Sequence, residues 1–128
     1  MKVVEVVKSY ADSIGGSFSA YDDSKAAVII PIGKHRHQTV LAETKSINGS
    51  FYIALTSKIS NKEAIKDADI YEKQKNLLFG KLVIEKEHLE IKAYLEEKMS
   101  PALIAEVFNE IAAFADIYEK RFTGKDIY

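Results

Sequence analysis

The sequence predicts an α+β fold built on an antiparallel sheet of about five to six strands, in the order α-ββββ-α-ββ-α, with the first and last helices packed on one face. Three observations carry this prediction. Apolar residues recur at helical spacing near both ends of the chain. Between Ser17 and Ser60, β-branched residues dominate and turn formers arrive every ten or so positions. Asn48-Gly49 sits between two apolar runs and is the strongest short hairpin signal, because both residues tolerate the positive φ of a type I′ turn. A chain of 128 residues, 47% hydrophobic and 29% charged, suits one hydrophobic core and a single domain spanning 1–128.

Val3, Val4, Val7, Ala11 and Ile14 repeat at three-and-four spacing, so the first helix is amphipathic, and Gly15-Gly16 ends it. Four strands follow at roughly 17–21, 26–32, 37–47 and 50–59, joined at Asp22-Asp23-Ser24-Lys25, Gly33-Lys34 and Asn48-Gly49. The second, Ala26 to Ile32, is almost wholly apolar and reads as covered on both faces. Pro31 belongs near its end or at an edge, since it has no N–H to donate to a ladder. In the fourth, Phe51, Ile53, Leu55 and Ile59 alternate with Tyr52, Ala54, Thr56 and Lys58, a core face against a wetter one. Ser60-Asn61-Lys62-Glu63 has the form of a capping box and predicts a second helix to about Leu78, with Ile65, Ala68, Tyr71 and Leu78 inward and Gly80 as its stop. Its thin apolar stripe suits a surface or an interface.

Lys81–Ile84 and Leu89–Leu95 form a second hairpin around Glu85-Lys86-Glu87-His88. Ser100-Pro101 starts the last helix as N-cap and first-turn proline. Its apolar set is broad: Leu103, Ile104, Val107, Phe108, Ile111, Ala112, Phe114, Ala115, Tyr118 and Phe122. One echo runs through the chain. Ala68-Asp69-Ile70-Tyr71-Glu72-Lys73 recurs as Ala115-Asp116-Ile117-Tyr118-Glu119-Lys120, on two predicted helices, without a longer period that would indicate a repeat architecture.

Eighteen Lys and Arg balance nineteen Asp and Glu, for a formal charge of -1. The bases are dispersed and their longest cluster is Lys34-His35-Arg36-His37, which predicts no nucleic-acid partner, because phosphate backbones demand a concentrated positive footprint. The chain has no cysteine, so disulfides, zinc–thiolate sites and thiol catalysis are excluded, and a reducing, cytoplasmic setting is expected. Charges interrupt the apolar N-terminal run, which is neither a signal-peptide core nor a membrane span, and no membrane partner is expected.

Phosphate-binding, dinucleotide, zinc-protease, nucleophile-elbow and EF-hand motifs are all missing, and no cofactor is called for. His35 and His37, two residues apart on an extended stretch, would face one side and chelate a divalent metal if carboxylates completed the set. Asp22-Asp23 and Glu85, Glu87 are the turn carboxylates at hand, and a small metal-dependent or hydrolytic enzyme built on them is the alternative function. Turn carboxylates serve conformation in most proteins, and His88 beside Glu87 reads as surface. Tyr10, Tyr52, Tyr71, Tyr94 and Tyr118 suggest an amphipathic contact surface.

The run Asn76–Ile84, then Leu89-Glu90-Ile91, then Ala112–Tyr118 on the final helix resembles the type III secretion chaperone-like superfamily. That group comprises class I secretion chaperones and the sensory-transduction-regulator proteins that share their fold. The likeness rests on apolar spacing, Gly80-Lys81-Leu82 and Ala115-Asp116-x-Tyr118. It implies a non-enzymatic homodimer, chaperone-like or regulatory, whose second helix is available for dimerisation and whose helix and strand surfaces hold an extended client. Unlike the secretion chaperones, this chain is close to neutral. The predicted self-association residues are Ile70, Tyr71 and Leu78. Tyr52, Thr56, Lys92 and Tyr94, on the outer sheet face, are predicted to meet a protein or peptide client. A third possibility is a structural subunit of a larger assembly, with the last helix partly an interface.

Overall fold

The computed structural model describes residues 2–123, and its elements follow the predicted order. They are α1 (Val3–Ile14), β1 (Ser17–Asp22), β2 (Lys25–Gly33), β3 (Arg36–Ile47), β4 (Ser50–Asn61), a 3₁₀ turn (Lys62–Lys66), α2 (Ala68–Gln74), β5 (Lys81–Glu85), β6 (His88–Glu96) and α3 (Pro101–Thr123). The strands make one antiparallel six-stranded sheet in the order β1-β2-β3-β4-β6-β5. β6 takes the place beside β4 and leaves β5 at the edge. The reason lies in their composition: β6 buries Leu89, Ile91, Ala93 and Leu95, whereas short β5 carries exposed Lys81 and Glu85 at its ends.

Hairpins set the register. Asn48 and Gly49 both take positive φ, 52° and 82°, between the paired Ile47 and Ser50. The β2–β3 turn lies one residue later than the sequence predicts: Gly33 pairs with Arg36, so Lys34-His35 form the loop and His35 takes φ 63°. Pro31 falls where β1 has already run out, as its missing donor requires. β2 is not covered on both faces, because Ala26, Val28 and Ile30 are buried while Ile29 and Pro31 are exposed on the other side.

α1 and α3 pack on the same sheet face. Val7, Tyr10, Val28, Val40, Leu55, Ile59, Ile91, Leu95, Phe108 and Ile111 belong to the one core between them. Tyr10 stacks on Phe108 at 4.2 Å between ring centres and donates its hydroxyl hydrogen to Asn109. The Ser100 hydroxyl caps α3 by accepting from Leu103 N at 3.1 Å, as predicted. Beneath α3, Asp116, almost fully buried, is paired with Arg36, and the Gln38 amide nitrogen donates to Ser57 Oγ at 2.8 Å, while Gln38 Oε1 is buried without a hydrogen-bond partner among the described residues.

The second helix departs from prediction. Ser60 does not open a capping box, because β4 continues to pair with β6 as far as Asn61 opposite His88, and the buried Ser60 hydroxyl donates to Asn61 O. Asn61 caps the 3₁₀ turn through Glu63 N, and Asp67 caps α2 through Asp69 N and Ile70 N. α2 is therefore only seven residues long. Its inward residue is Ile70, and Tyr71 and Leu78, expected inward, are exposed.

The loop after α2 is held by a group that the sequence does not flag. The Glu110 carboxylate on α3 accepts the backbone N–H groups of Leu78, Phe79 and Gly80 at 2.7, 2.8 and 2.9 Å. Gly80 leaves room in this clasp for Ile91, since a Cβ there would stand 2.8 Å from the tip of the Ile91 side chain and oblige it to shift.

Candidate functional site

With every described helix on one face, the other face of the sheet is bare among the described residues. Alternation then decides what it presents: Ser19 and Tyr21 lie toward the β1 edge, Ala27 and Ile29 on β2, Thr39, Leu41, Glu43 and Lys45 on β3, Tyr52, Ala54, Thr56 and Lys58 on β4, and Glu90, Lys92 and Tyr94 on β6.

The four residues predicted to meet a client are brought together here. Thr56 stands directly opposite Lys92, and Ala54 opposite Tyr94. The Tyr52 and Tyr94 rings meet edge to face, 6.2 Å apart at 76°. Lys81 Nζ lies 5.9 Å from the centre of the Tyr94 ring, which ties the aromatic shelf to β5. Beside it, Glu43 receives Lys45 at 2.6 Å and Lys25 at 3.7 Å. The hydrogen bond from Lys45 holds the Glu43 carboxyl below its ordinary range, so it is ionised and matched on the surface.

Next to that shelf is a groove of about 370 Å³, lined by Tyr21, Ala27, Thr39, Leu41, Thr56, Lys58 and Glu90. Sequence reasoning missed Glu90, which looks like the polar half of an alternating strand. In the fold it lies between Lys58 of β4 and Val83 of β5 and is only 8% exposed. Burial pushes its carboxyl above the ordinary range, and the negative charge of Glu85 adds to the shift. Among the described residues no hydrogen bond reaches its carboxylate, while the charges of Lys58, directly opposite on β4, and of Lys92 and His88 along β6 partly offset the shift.

The predicted self-association residues separate. Ile70 is fully buried in the protomer's own core, so of the three it is the one the fold does not leave on the surface. Tyr71 and Leu78 remain 50% and 83% exposed. Ile117, on the outward side of α3, joins them as a residue that sequence reasoning placed on no surface, at 60% exposed. The two helices are tied by Asp69, which accepts from Tyr118 Oη at 3.0 Å and from Arg121 at 2.5 Å, and by an Arg121–Asp67 pair at 3.0 Å. The Tyr118 hydrogen bond is the main cause that holds the Asp69 carboxyl down, with Arg121 next.

The residues of the alternative enzyme do not converge. His35 occupies a turn with positive φ, so no extended stretch aligns it with His37. Asp22 accepts from Ser24 N and Oγ, both at 2.7 Å, and is spent on closing its turn. Asp22 and Asp23 lie at the β1 side of the sheet and Glu85 and Glu87 at the β5 side, on opposite edges. Among the described residues no group of three or more His, Cys, Asp or Glu is placed to hold a metal ion. No described helix is long and apolar enough to cross a membrane. No protein-family model matches the chain, and no curated protein matches it.

Proposed function

We propose that this chain is a non-catalytic protein- or peptide-binding module, chaperone-like or regulatory, which receives a client on its bare sheet face and works as a homodimer in the cytoplasm. One observation carries this reading: Tyr52, Thr56, Lys92 and Tyr94 lie side by side on a sheet surface that none of the described helices covers. Aromatic rings with polar tips bring contact area at low entropic cost, and neighbouring Thr and Lys supply adaptable donors. The element order and the placement of both long helices on one face agree with the resemblance to the type III secretion chaperone-like superfamily, and from it we take the client-binding role and the dimer; the dispersed basic residues and the charged N-terminal run argue against nucleic-acid and membrane partners. Self-association is assigned to the outward side of the helical layer, where Tyr71, Leu78 and Ile117 are exposed.

Affinity capture from the source cells, repeated with a Tyr52→Ser/Tyr94→Ser double variant, tests the client face. A polypeptide retained by the wild-type protein and lost by a folded double variant is the expected result; equal retention, or no specific polypeptide at all, would sink the assignment.

A further inference from the structure

The open-face groove has one feature that a passive contact surface would not keep. The Glu90 side chain is more than nine-tenths buried in the groove wall, and no hydrogen bond to its carboxylate forms among the described residues, so its partly desolvated oxygens remain open to a donor that enters the groove. We propose that this groove takes an arginine side chain of the client, with Glu90 as the counter-charge and Tyr21 as the stacking surface. The inference rests on the client-binding reading above and names the chemistry of the client.

The lining fits a guanidinium on an aliphatic stem. Ala27 and Leu41 supply apolar surface for the methylenes, and the Tyr21 ring, 63% exposed, stands at the side of the groove where a planar cation can lie against it. Thr39 and Thr56 add hydroxyl acceptors. Arginine suits a dry site better than lysine does: its guanidinium is more weakly hydrated and meets a carboxylate with two parallel N–H donors.

Positive charge nearby does not cancel the attraction. Lys58 faces Glu90 from β4, Lys92 and His88 flank it along β6, and Glu85 faces it from β5. Lys58 lines the groove but its side chain is exposed, so its repulsion of an incoming cation is screened by water. The Glu90 contact forms inside the groove, where screening is weaker, and Glu85 offsets part of the lysine field.

A displayed library of random short peptides, selected against the full chain, tests this directly. The expected outcome is arginine at one fixed position in the selected peptides. Changing that arginine to citrulline, or using the Glu90→Gln protein, should weaken binding about tenfold or more, the scale of a lost charge-assisted hydrogen bond. Backbone amide shifts on binding should centre on Ala27, Leu41 and Thr56, and thermal unfolding of Glu90→Gln verifies that the variant is folded. Selected peptides that carry lysine or no base, or that bind equally with citrulline, overturn the arginine assignment. If such peptides still lose affinity to the Tyr52→Ser/Tyr94→Ser protein, the client-face reading survives. If no peptide is selected, or the shifts fall on the helical layer, both fail.

Discussion

At the scale of single residues, the groups with displaced acidities make opposite demands on stability. Glu90 has its carboxyl raised by burial, so in the folded chain it holds a proton that the unfolded chain has already released. Stability therefore falls as pH rises from the ordinary carboxylate value through the raised one, and the cost persists at neutral pH. Glu90→Gln should raise the Tm at pH 7 and leave it unchanged at a pH where both forms are neutral; calorimetry at the two pH values checks this, and a lower Tm at neutral pH would contradict it. Gain of stability with loss of peptide binding is the pattern expected of a side chain kept for function. Tyr10 behaves alike in alkali. Burial pushes its hydroxyl up to about 12, so the folded state keeps the phenolic proton while the unfolded state loses it near the ordinary value of about 10. Stability should decline across that interval in the wild-type chain, and the decline should be shallower in Tyr10→Phe when followed by alkaline denaturation. Asp69 and Glu43 carry depressed carboxyls, so their contribution has the reverse sign and is lost as pH falls.

At the scale of elements, the repeated hexapeptide shows how little local sequence says about which side of a helix is buried. In α2 the copy buries Ile70 and exposes Ala68, Asp69, Tyr71 and Glu72; in α3 the same letters expose Ile117 and bury Ala115, Asp116, Tyr118 and Glu119. Seven-residue α2 touches the core along one line, whereas α3 crosses the sheet and is tied to Arg36 beneath it. Tyr118→Glu should cost several kcal/mol, on the order of 3–5, by placing a charge in the Phe114–Tyr118–Phe122 aromatic row, while Tyr71→Glu should shift stability by no more than about 0.5 kcal/mol. Urea unfolding of the two variants distinguishes them. The Glu110 clasp belongs at this scale too. Removing the carboxylate in Glu110→Ala leaves three N–H groups without their acceptor and should cost about 2–3 kcal/mol, with hydrogen exchange accelerated at Leu78, Phe79 and Gly80 before the rest of the sheet.

At the scale of the whole molecule, a one-sided sheet divides the surface into two kinds of partner site. The helical layer offers exposed apolar side chains at Tyr71, Leu78 and Ile117, and the bare face offers an aromatic shelf beside a groove walled in part by the partly desolvated Glu90. Multi-angle light scattering should give a dimer for the wild-type chain and a monomer for Tyr71→Glu combined with Ile117→Glu, with Tm otherwise little changed. A wild-type monomer, or a dimer that survives both charges, would remove the helical layer as the interface. The sheet edges are unlike each other. β5 ends in Lys81 and Glu85, which discourage further strand pairing, while β1 has no charge before Asp22.

Much of this architecture was legible because its signals are local. Alternation marks β4 and β6, Asn48-Gly49 sets a hairpin register, Gly15 and Ser100-Pro101 bound the long helices, and alternation alone was enough to put Tyr52, Thr56, Lys92 and Tyr94 on one face. What stayed hidden depends on which distant segments meet. The capping signature at Ser60 was overridden because pairing with β6 satisfies that backbone more fully than a helix start would. Ile70, expected at a dimer surface, is buried, and Ile117, to which the sequence assigned no role, is exposed, because burial is decided by how each helix lies on the sheet. Glu90 reads as the wet half of a strand, and only the packing of β4 and β5 on either side of it turns an ordinary glutamate into a desolvated carboxylate at the edge of a groove. Backbone hydrogen bonding and side-chain periodicity are properties of neighbouring residues; the dielectric around a charge and the face that a helix buries are properties of the assembled chain.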